Sequence, residues 1–436
     1  MKNYRYLIPV ALILLMIVST CKLTSDAAKK EEAYNGYIEE ARDYAGQGIT
    51  VDAIESYQNA LNMNPTLELY LEVGNYFKEN ELDREAVDWG ESLIKRYSKD
   101  AGSYEYLLGE YMELQDYNSC FRLNSTMKKR NVTSGKLNEM IDSIQYAYTI
   151  DYSTFTNVSV FSENRCAVQD QDGLWGYIDN TGNVCIGTGY KAAGAYGSEL
   201  AAVQDEDGAL YYIDPEGNKK RVPDLDIEYS TLGYIGDEVF TASDGTSYGF
   251  YDMKYNKLSG SYEYAGTLNL NVAAVRNNEE WMLVDRSGQP LNAVKYQDIK
   301  LDEKEIAYRN ERAFVQIENK YYMVDGTGNQ ITNTAYEDAK TFLSQSYAPV
   351  KQDGKWGFTD VAGNMVIKPM YEDARGFING LAAVKLNGTW GYINEENEMV
   401  IENSFEGAMD FNSDGCTFIK QEDQWSLLML FSHNYD

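Results

Sequence analysis

The sequence predicts a chain in two parts, helical hairpins followed by an all-β repeat domain of eight units. The β domain closes as a propeller-like ring or, alternatively, stacks as a superhelix of β-hairpins. Three observations lead there. Residues 347–401 hold one pattern written twice: an apolar run, a polar turn, Trp-Gly-aromatic, an acidic or amide residue, another turn, then Met-Val-Ile. The same pattern recurs with drift over about 152–430. Residues 33–150 instead carry apolar positions three and four apart, the spacing of one helix face.

Composition sets the outer bounds. The chain has 436 residues, enough for two domains, and at 44% hydrophobic it can fill real cores. Lys and Arg number 38 against 68 Asp and Glu, a formal charge of -30. That charge repels nucleic acid and anionic lipid headgroups. It leaves cations, basic proteins or simply a solvated acidic exterior. Abundant Tyr and Gly with scarce Pro suit short strands joined by tight turns.

Residues 1–21 read as a leader. Lys2 and Arg5 precede the apolar run Leu7 to Val18, which is shorter than the ~20 residues of a membrane-spanning helix. Val18-Ser19-Thr20-Cys21 resembles a bacterial lipoprotein lipobox, with Thr20 where Gly, Ala or Ser is usual. The resemblance implies a lipid on Cys21 and a place on the extracytoplasmic face of a bacterial cell membrane; plain secretion or an uncleaved anchor are the alternatives. One diacylated Cys would hold the protein at the surface and not through it. Residues 22–32 are small and charged and read as a flexible tether.

Residues 33–150 divide into three helical hairpins and a cap. The first splits at Gly46-Gln47-Gly48 and closes at Pro65; the others cover 66–100 and 101–130, and Lys136 to Ile150 reads as the cap. Ala53-Ile54, Ala86-Val87 and Ser119-Cys120 fall at matching places about 33 residues apart, close to the ~34 of tetratricopeptide repeats. Gly74 and Gly109 are expected where paired helices cross closely. The segment resembles three tetratricopeptide repeats with degenerate motifs. Such stacks present a groove to a peptide or act as spacers.

From 151 onward strand chemistry takes over. The aromatic-rich cores are WGYID (175–179), LYYID (210–214), YGFYD (248–252), WMLVD (281–285), YYMVD (321–325), WGFTD (356–360), WGYIN (390–394) and WSLLM (425–429). Their period of about 36 residues lies within the range that marks repeat architectures. Trp175-Gly176, Trp356-Gly357 and Trp390-Gly391 keep the Trp-Gly pair and define the repeat. On these residues the array resembles the WG-repeat family of bacterial proteins, also called KWG repeats. The resemblance implies surface or secreted repeat modules without family-wide catalytic residues.

Each unit reads as three or four antiparallel strands. Asn387-Gly388 marks a two-residue hairpin. DNTGN (179–183), DPEGN (214–218), DRSGQ (285–289), DGTGN (325–329) and DVAGN (360–364) mark a second turn, with Asp accepting from turn amides and Gly in the left-handed region. The last unit lacks room for a fourth strand, and Ser153 to Val160 is expected to supply it and close a circle.

No catalytic constellation stands out. The sole histidine, His433, sits near the C-terminus, so His-dependent acid–base, nucleophilic and zinc chemistry is excluded. Asp170-Gln171-Asp172-Gly173 and Asp205-Glu206-Asp207-Gly208 miss the calcium-loop pattern and sit where hairpin turns belong. Cys166 and Cys416 occupy the same place in the first and last units; they are buried thiols or a bridge. The periodic Trp175, Trp281, Trp356, Trp390 and Trp425 are expected to plug neighbouring units, against the alternative of a sugar-stacking ring.

The sequence therefore reads as an exported, membrane-anchored, non-catalytic binding or scaffold protein with no cofactor and no metal. Its expected partner is a protein at the cell surface. A wall-glycan module or a structural spacer are the alternatives, and no ligand-binding residue is singled out.

Overall fold

The computed structural model describes residues 7–220 and 230–432, with side chains from 27 onward. The chain parts into two compact units between Gln145 and Tyr146, slightly before the expected boundary at 150/151. Residues 1–6 of the expected leader, the side chain of Cys21 and His433 lie outside the described residues. Among the described residues no helix is long and apolar enough to cross a membrane.

The first unit has seven helices among the described residues: α1 (Leu7–Gly46), α2 (Thr50–Met63), α3 (Leu67–Glu79), α4 (Asp83–Arg96), α5 (Ala101–Glu113), α6 (Tyr117–Arg130) and α7 (Gly135–Ser143). Residues 22–32, expected to be a flexible tether, are instead helical within α1. Side-chain caps set the starts: Thr66 accepts from Leu69 N, Asp100 from Ser103 N, Asp116 from Ser119 N and Ser134 from Leu137 N. The repeating small residues Ala53, Ala86 and Cys120 are fully buried. Gly74 is a true close contact, since a Cβ there would stand 2.7 Å from the Tyr106 ring. Gly109 is not: its Cβ would meet only the Met140 methyl, at 3.8 Å.

The second unit is a closed β-propeller of eight small antiparallel sheets. Blade 7 shows the plan. A two-residue inner strand (Asp373–Ala374) leads to a second (Ala382–Leu386), a third (Thr389–Ile393) and an outer strand (Met399–Phe405). The ring closes through Tyr148–Phe155, which pairs antiparallel with Gln424–Leu430 as the fourth strand of blade 8. The expected closing segment is thus split. Asn157–Val158 begins blade 1, and the strand before it completes blade 8. Across the seam Phe161 stacks on Phe418 at 5.5 Å.

The glycine of Trp-Gly has a steric cause. In blade 6, Trp356 pairs with Tyr371 and Phe358 with Ile367, so the outer strand bulges between them. The bulge leans onto Gly357, where a Cβ would lie 2.4 Å from Ile367 O. Gly176 faces Ile186 O and Gly391 faces Ile401 O, both at 2.6 Å. Blades 4 and 5 carry Met282 and Tyr322 at this position, and there the outer segment makes only isolated bridges, Trp281 with Tyr296 and Tyr321 with Tyr336.

The second turn of the unit forms as its residues dictate. Asp360 accepts from Ala362 N at 2.9 Å and Asn364 N at 2.8 Å, while Gly363 sits at φ 82°. Two drifted copies keep this geometry without glycine, with Tyr255 at φ 68° and Asn397 at φ 65°.

Gly357→Val is expected to destabilise the protein by about 3 kcal/mol through overpacking against backbone. Gly187→Ala, at a site with nothing within 4 Å, should leave stability unchanged; urea midpoints compare the two. Stability is also expected to fall as pH drops from about 5 toward 2. The turn aspartates cause this. Hydrogen bonds to Lys220 and Thr246 hold Asp214 and Asp244 down at about 2, and Asp252, Asp285 and Asp360 are lowered as well. A depressed carboxyl stabilises the fold above its unfolded value near 3.8 and loses that contribution as pH falls through its folded value. A pH series of thermal unfolding checks it.

Candidate functional site

The repeat-defining residues are structural. The residue two places after each Trp position is the plug between blades. Tyr177, Phe358 and Tyr392 are essentially inaccessible, and each meets an aromatic of the next blade edge-on: Tyr196 at 5.0 Å, Phe377 at 4.9 Å and Phe411 at 4.8 Å. The hydroxyls of Tyr177 and Tyr392 also donate across the interface, to Gly194 O and Met409 O. The tryptophans were expected in this role, and they share it: Trp356 is buried in the cluster between blades 6 and 7, while Trp175, Trp281, Trp390 and Trp425 are half-buried against the other inter-blade clusters. Two have a cation against the ring: Lys340 Nζ lies 4.8 Å from the Trp356 centroid, and the Arg276 guanidinium 5.8 Å from that of Trp281.

The acidic turns stay hairpin turns. Asp170 accepts from Asp172 N and Leu174 N, and Asp205 accepts from Ala209 N. Among the described residues no group of His, Cys, Asp and Glu is placed to hold a metal ion. Cys166 and Cys416 do share one apolar cluster across the ring seam, but as free thiols. Burial pushes both up, Cys416 to about 12.

The side chains that converge are on the channel wall. Blades 5, 6 and 7 each carry an Asp-x-Lys/Arg triple at the inner strand: Asp298-Ile299-Lys300, Asp338-Ala339-Lys340 and Asp373-Ala374-Arg375. Each cation reaches the acid of the following blade. Lys300 meets Asp338 at 2.9 Å, Lys340 meets Asp373 at 2.8 Å, and Arg375 meets Asp410 at 2.6 Å. The result is a staircase of ion pairs around the channel.

A loop of blade 5 enters the same space. Asp302 shapes it by accepting from Lys304 N and Ile306 N, and Arg309 grips the Asp302 carboxylate at 2.6 Å. From this loop Glu303 pairs with Arg375 of blade 7. Lys304 donates to Ser162 Oγ of blade 1 at 2.8 Å and lies over the Tyr234 ring of blade 3. Glu305 accepts from Tyr264 of blade 4. Three consecutive residues thus tie four other blades together.

Two cavities flank the loop, one of about 240 Å³ at the channel mouth and one of about 390 Å³ beside Lys340 and Trp356. Asp410 is their shared floor. Its side chain is 5% exposed, and its Oδ1 has no hydrogen-bond partner. Burial raises the Asp410 carboxyl in spite of Arg375. Burial works against the Arg375 charge, but Asp410 and Glu303 outweigh it and keep the guanidinium protonated. Burial, then Arg309, lowers the Lys304 amine. The arrangement can hold a polar or charged group in a half-enclosed space. It places no nucleophile beside a general base and oxyanion donors.

The sequence reading passed over Glu303, Lys304, Arg375 and Asp410. The recurring Asp-x-Lys/Arg triple was the available signal for the wall. The blade 5 loop had none, because its partners are scattered from 162 to 375.

The profile of the WG containing repeat matches residues 175–208, 323–356, 356–390 and 390–425, so the WG-repeat expectation holds over those stretches. No curated protein sequence is significantly similar. Among solved structures the chain is similar to BamB from Moraxella catarrhalis, at 10% identity and a TM-score of 0.42, over 65% of this chain and 100% of that one. It is also similar to PorZ of Porphyromonas gingivalis, described as an essential bacterial surface component of the type-IX secretion system. That match has 10% identity and a TM-score of 0.34, over 62% of this chain and 42% of that one. Hsv2 from Kluyvelomyces marxianus matches at 10% identity and a TM-score of 0.35, over 57% and 99%.

Removing Arg375 strands a buried carboxylate, so Arg375→Met is expected to cost about 3–5 kcal/mol. The double variant Arg375→Met with Asp410→Leu should recover most of that loss, because the buried carboxylate is gone and the Glu303 left without its cation is 44% exposed. Chemical denaturation of both variants reads the difference.

Proposed function

We propose that the protein is an exported, non-catalytic scaffold that binds a protein partner through its repeat surfaces. A lipid on Cys21 holds it to the extracytoplasmic face of the cell membrane. The observation that carries this reading is the use each side chain is put to. The periodic aromatics are committed to blade packing and cation contacts, while charged loops at one end of the rigid ring surround a half-enclosed cavity. A rigid frame with polar loops around a cavity is a recognition surface.

The wall-glycan reading is weakened on the same ground. Sugar stacking needs an exposed flat ring; Trp356 is buried with Lys340 against it and Trp281 has Arg276 over its ring, while Trp175, Trp390 and Trp425 are half-buried against blade clusters. The helical hairpins serve best as a tetratricopeptide-like second contact surface. Arg42 there makes a bidentate pair with Glu72 at 2.7 and 2.8 Å, beside Tyr57 and Asn75 in an open groove.

The test is a crosslinked pull-down of the native protein from its own envelope, beside copies lacking 33–150 or 151–436. One protein partner that follows one unit supports the scaffold. Wall glycan alone following 151–436 replaces it with the glycan module. No ligand on any copy replaces it with the spacer.

A further inference from the structure

We infer that the cavity at the channel mouth receives a lysine or arginine side chain from a basic segment of the partner. The inference rests on the scaffold reading and names its site.

The charge count favours a cation. Glu163 of blade 1, Glu303 of blade 5, and Asp410 and Asp414 of blade 8 all line the cavity. Of the cavity's own cations, Arg309 grips Asp302, and Lys304, which donates to the neutral Ser162, offsets one more of the five lining carboxylates. Behind the floor, one guanidinium serves two carboxylates, since Arg375 meets both Glu303 and Asp410. Glu163 and Asp414 make no ion pair among the described residues; Glu163 accepts from Glu199 N and Asp414 from Asn180 Nδ2.

A second observation is independent of that count. Asp410 Oδ1 has no hydrogen-bond partner on a side chain only 5% exposed. A buried carboxylate oxygen without a donor is unfavourable. The atom has essentially no accessible surface, and Arg375 Nε is without a partner as well, so an incoming N–H would reach Oδ1 only by displacing the packing over it. A bound cation would also draw down the Asp410 carboxyl, which burial holds up.

Size and walls fit a side chain better than a peptide backbone or a drug-sized ligand. The volume is about 240 Å³, below the ~300–1,000 Å³ of ordinary small-molecule pockets. Phe161, Leu343 and Ile378 give apolar wall for a methylene stem, with the carboxylates beyond it. The net charge of -30 draws basic partners over longer range. A metal ion is a poorer fit, because no three ligating side chains converge among the described residues.

The test uses the full-length protein in detergent, methyl-labelled at isoleucine, with the Ile378 methyl as reporter. The probe is acetyl-Gly-Arg-Gly-amide, and its neutral twin carries citrulline in place of arginine. The arginine peptide should shift the Ile378 methyl saturably, and the citrulline peptide should not. Glu163→Gln with Asp414→Asn, both at exposed positions, should weaken binding about fivefold. Asp410→Asn should weaken it further. Equal shifts from citrulline, no saturable shift, or unchanged affinity in the Glu163→Gln/Asp414→Asn protein would each overturn the inference. A partner captured from the envelope together with a silent Ile378 would keep the scaffold and remove this site.

Discussion

The fold depends on how near one strand comes to the α-carbon of another. Ile367 O stands where a Cβ on Gly357 would be, and Ile401 O does the same at Gly391. The approach lets the outer strand bulge and still pair, which completes the blade as a four-stranded sheet. The sheet then holds Phe358 or Tyr392 rigidly enough to meet the aromatic of the next blade. Trp-Gly-aromatic is therefore one mechanical unit. The glycine admits the outer strand, and the aromatic after it joins the blades.

That chain of dependence ends in the channel. Blades packed face to face around the ring bring each inner strand beside the next, so a cation on one wall faces an acid on its neighbour. Lys300–Asp338, Lys340–Asp373 and Arg375–Asp410 are the same relation repeated three times. Only a closed ring lets the loop around Glu303 reach Ser162 on one side and Arg375 on the other. The result is a stiff wall with unbalanced negative charge at its mouth. Such a wall suits recognition more than chemistry, because its groups are held apart by pairing.

Much of this was legible in the chain because repeats announce themselves by spacing. The eight cores, the Asp-x-x-Gly-Asn turns and the need for a strand from upstream of the first unit are periodic or end-of-array signals. The helical hairpins were legible for the same reason, down to the buried Ala53 and Ala86. One role was misjudged and one was read incompletely. The tryptophans drew attention as the largest recurring residues and do pack between blades, but the aromatic two places on, on the same face of the strand, is the one shut off from solvent. Gly109 matched Gly74 in spacing, but only Gly74 faces an aromatic ring. The channel mouth was hidden for a different reason. Glu163, Glu303, Asp410 and Asp414 are common surface types, far apart along the chain, and only ring closure makes them neighbours.

The central claim is a closed ring in which glycine after the Trp position admits a bulged outer strand that Met282 and Tyr322 do not; blades 2 and 8 carry Tyr211 and Ser426 there and pair their fourth strands. Native-state hydrogen exchange tests it most directly. The account predicts slow exchange in Met365–Tyr371 and Met399–Phe405, equally slow exchange in the closing strand Tyr148–Phe155, and fast exchange in most of 286–296 and 326–336, where blades 4 and 5 have only isolated bridges. Fast exchange throughout Tyr148–Phe155 would mean an open array. Uniform protection of all outer segments would mean that Met282 and Tyr322 do not keep the outer strand off blades 4 and 5.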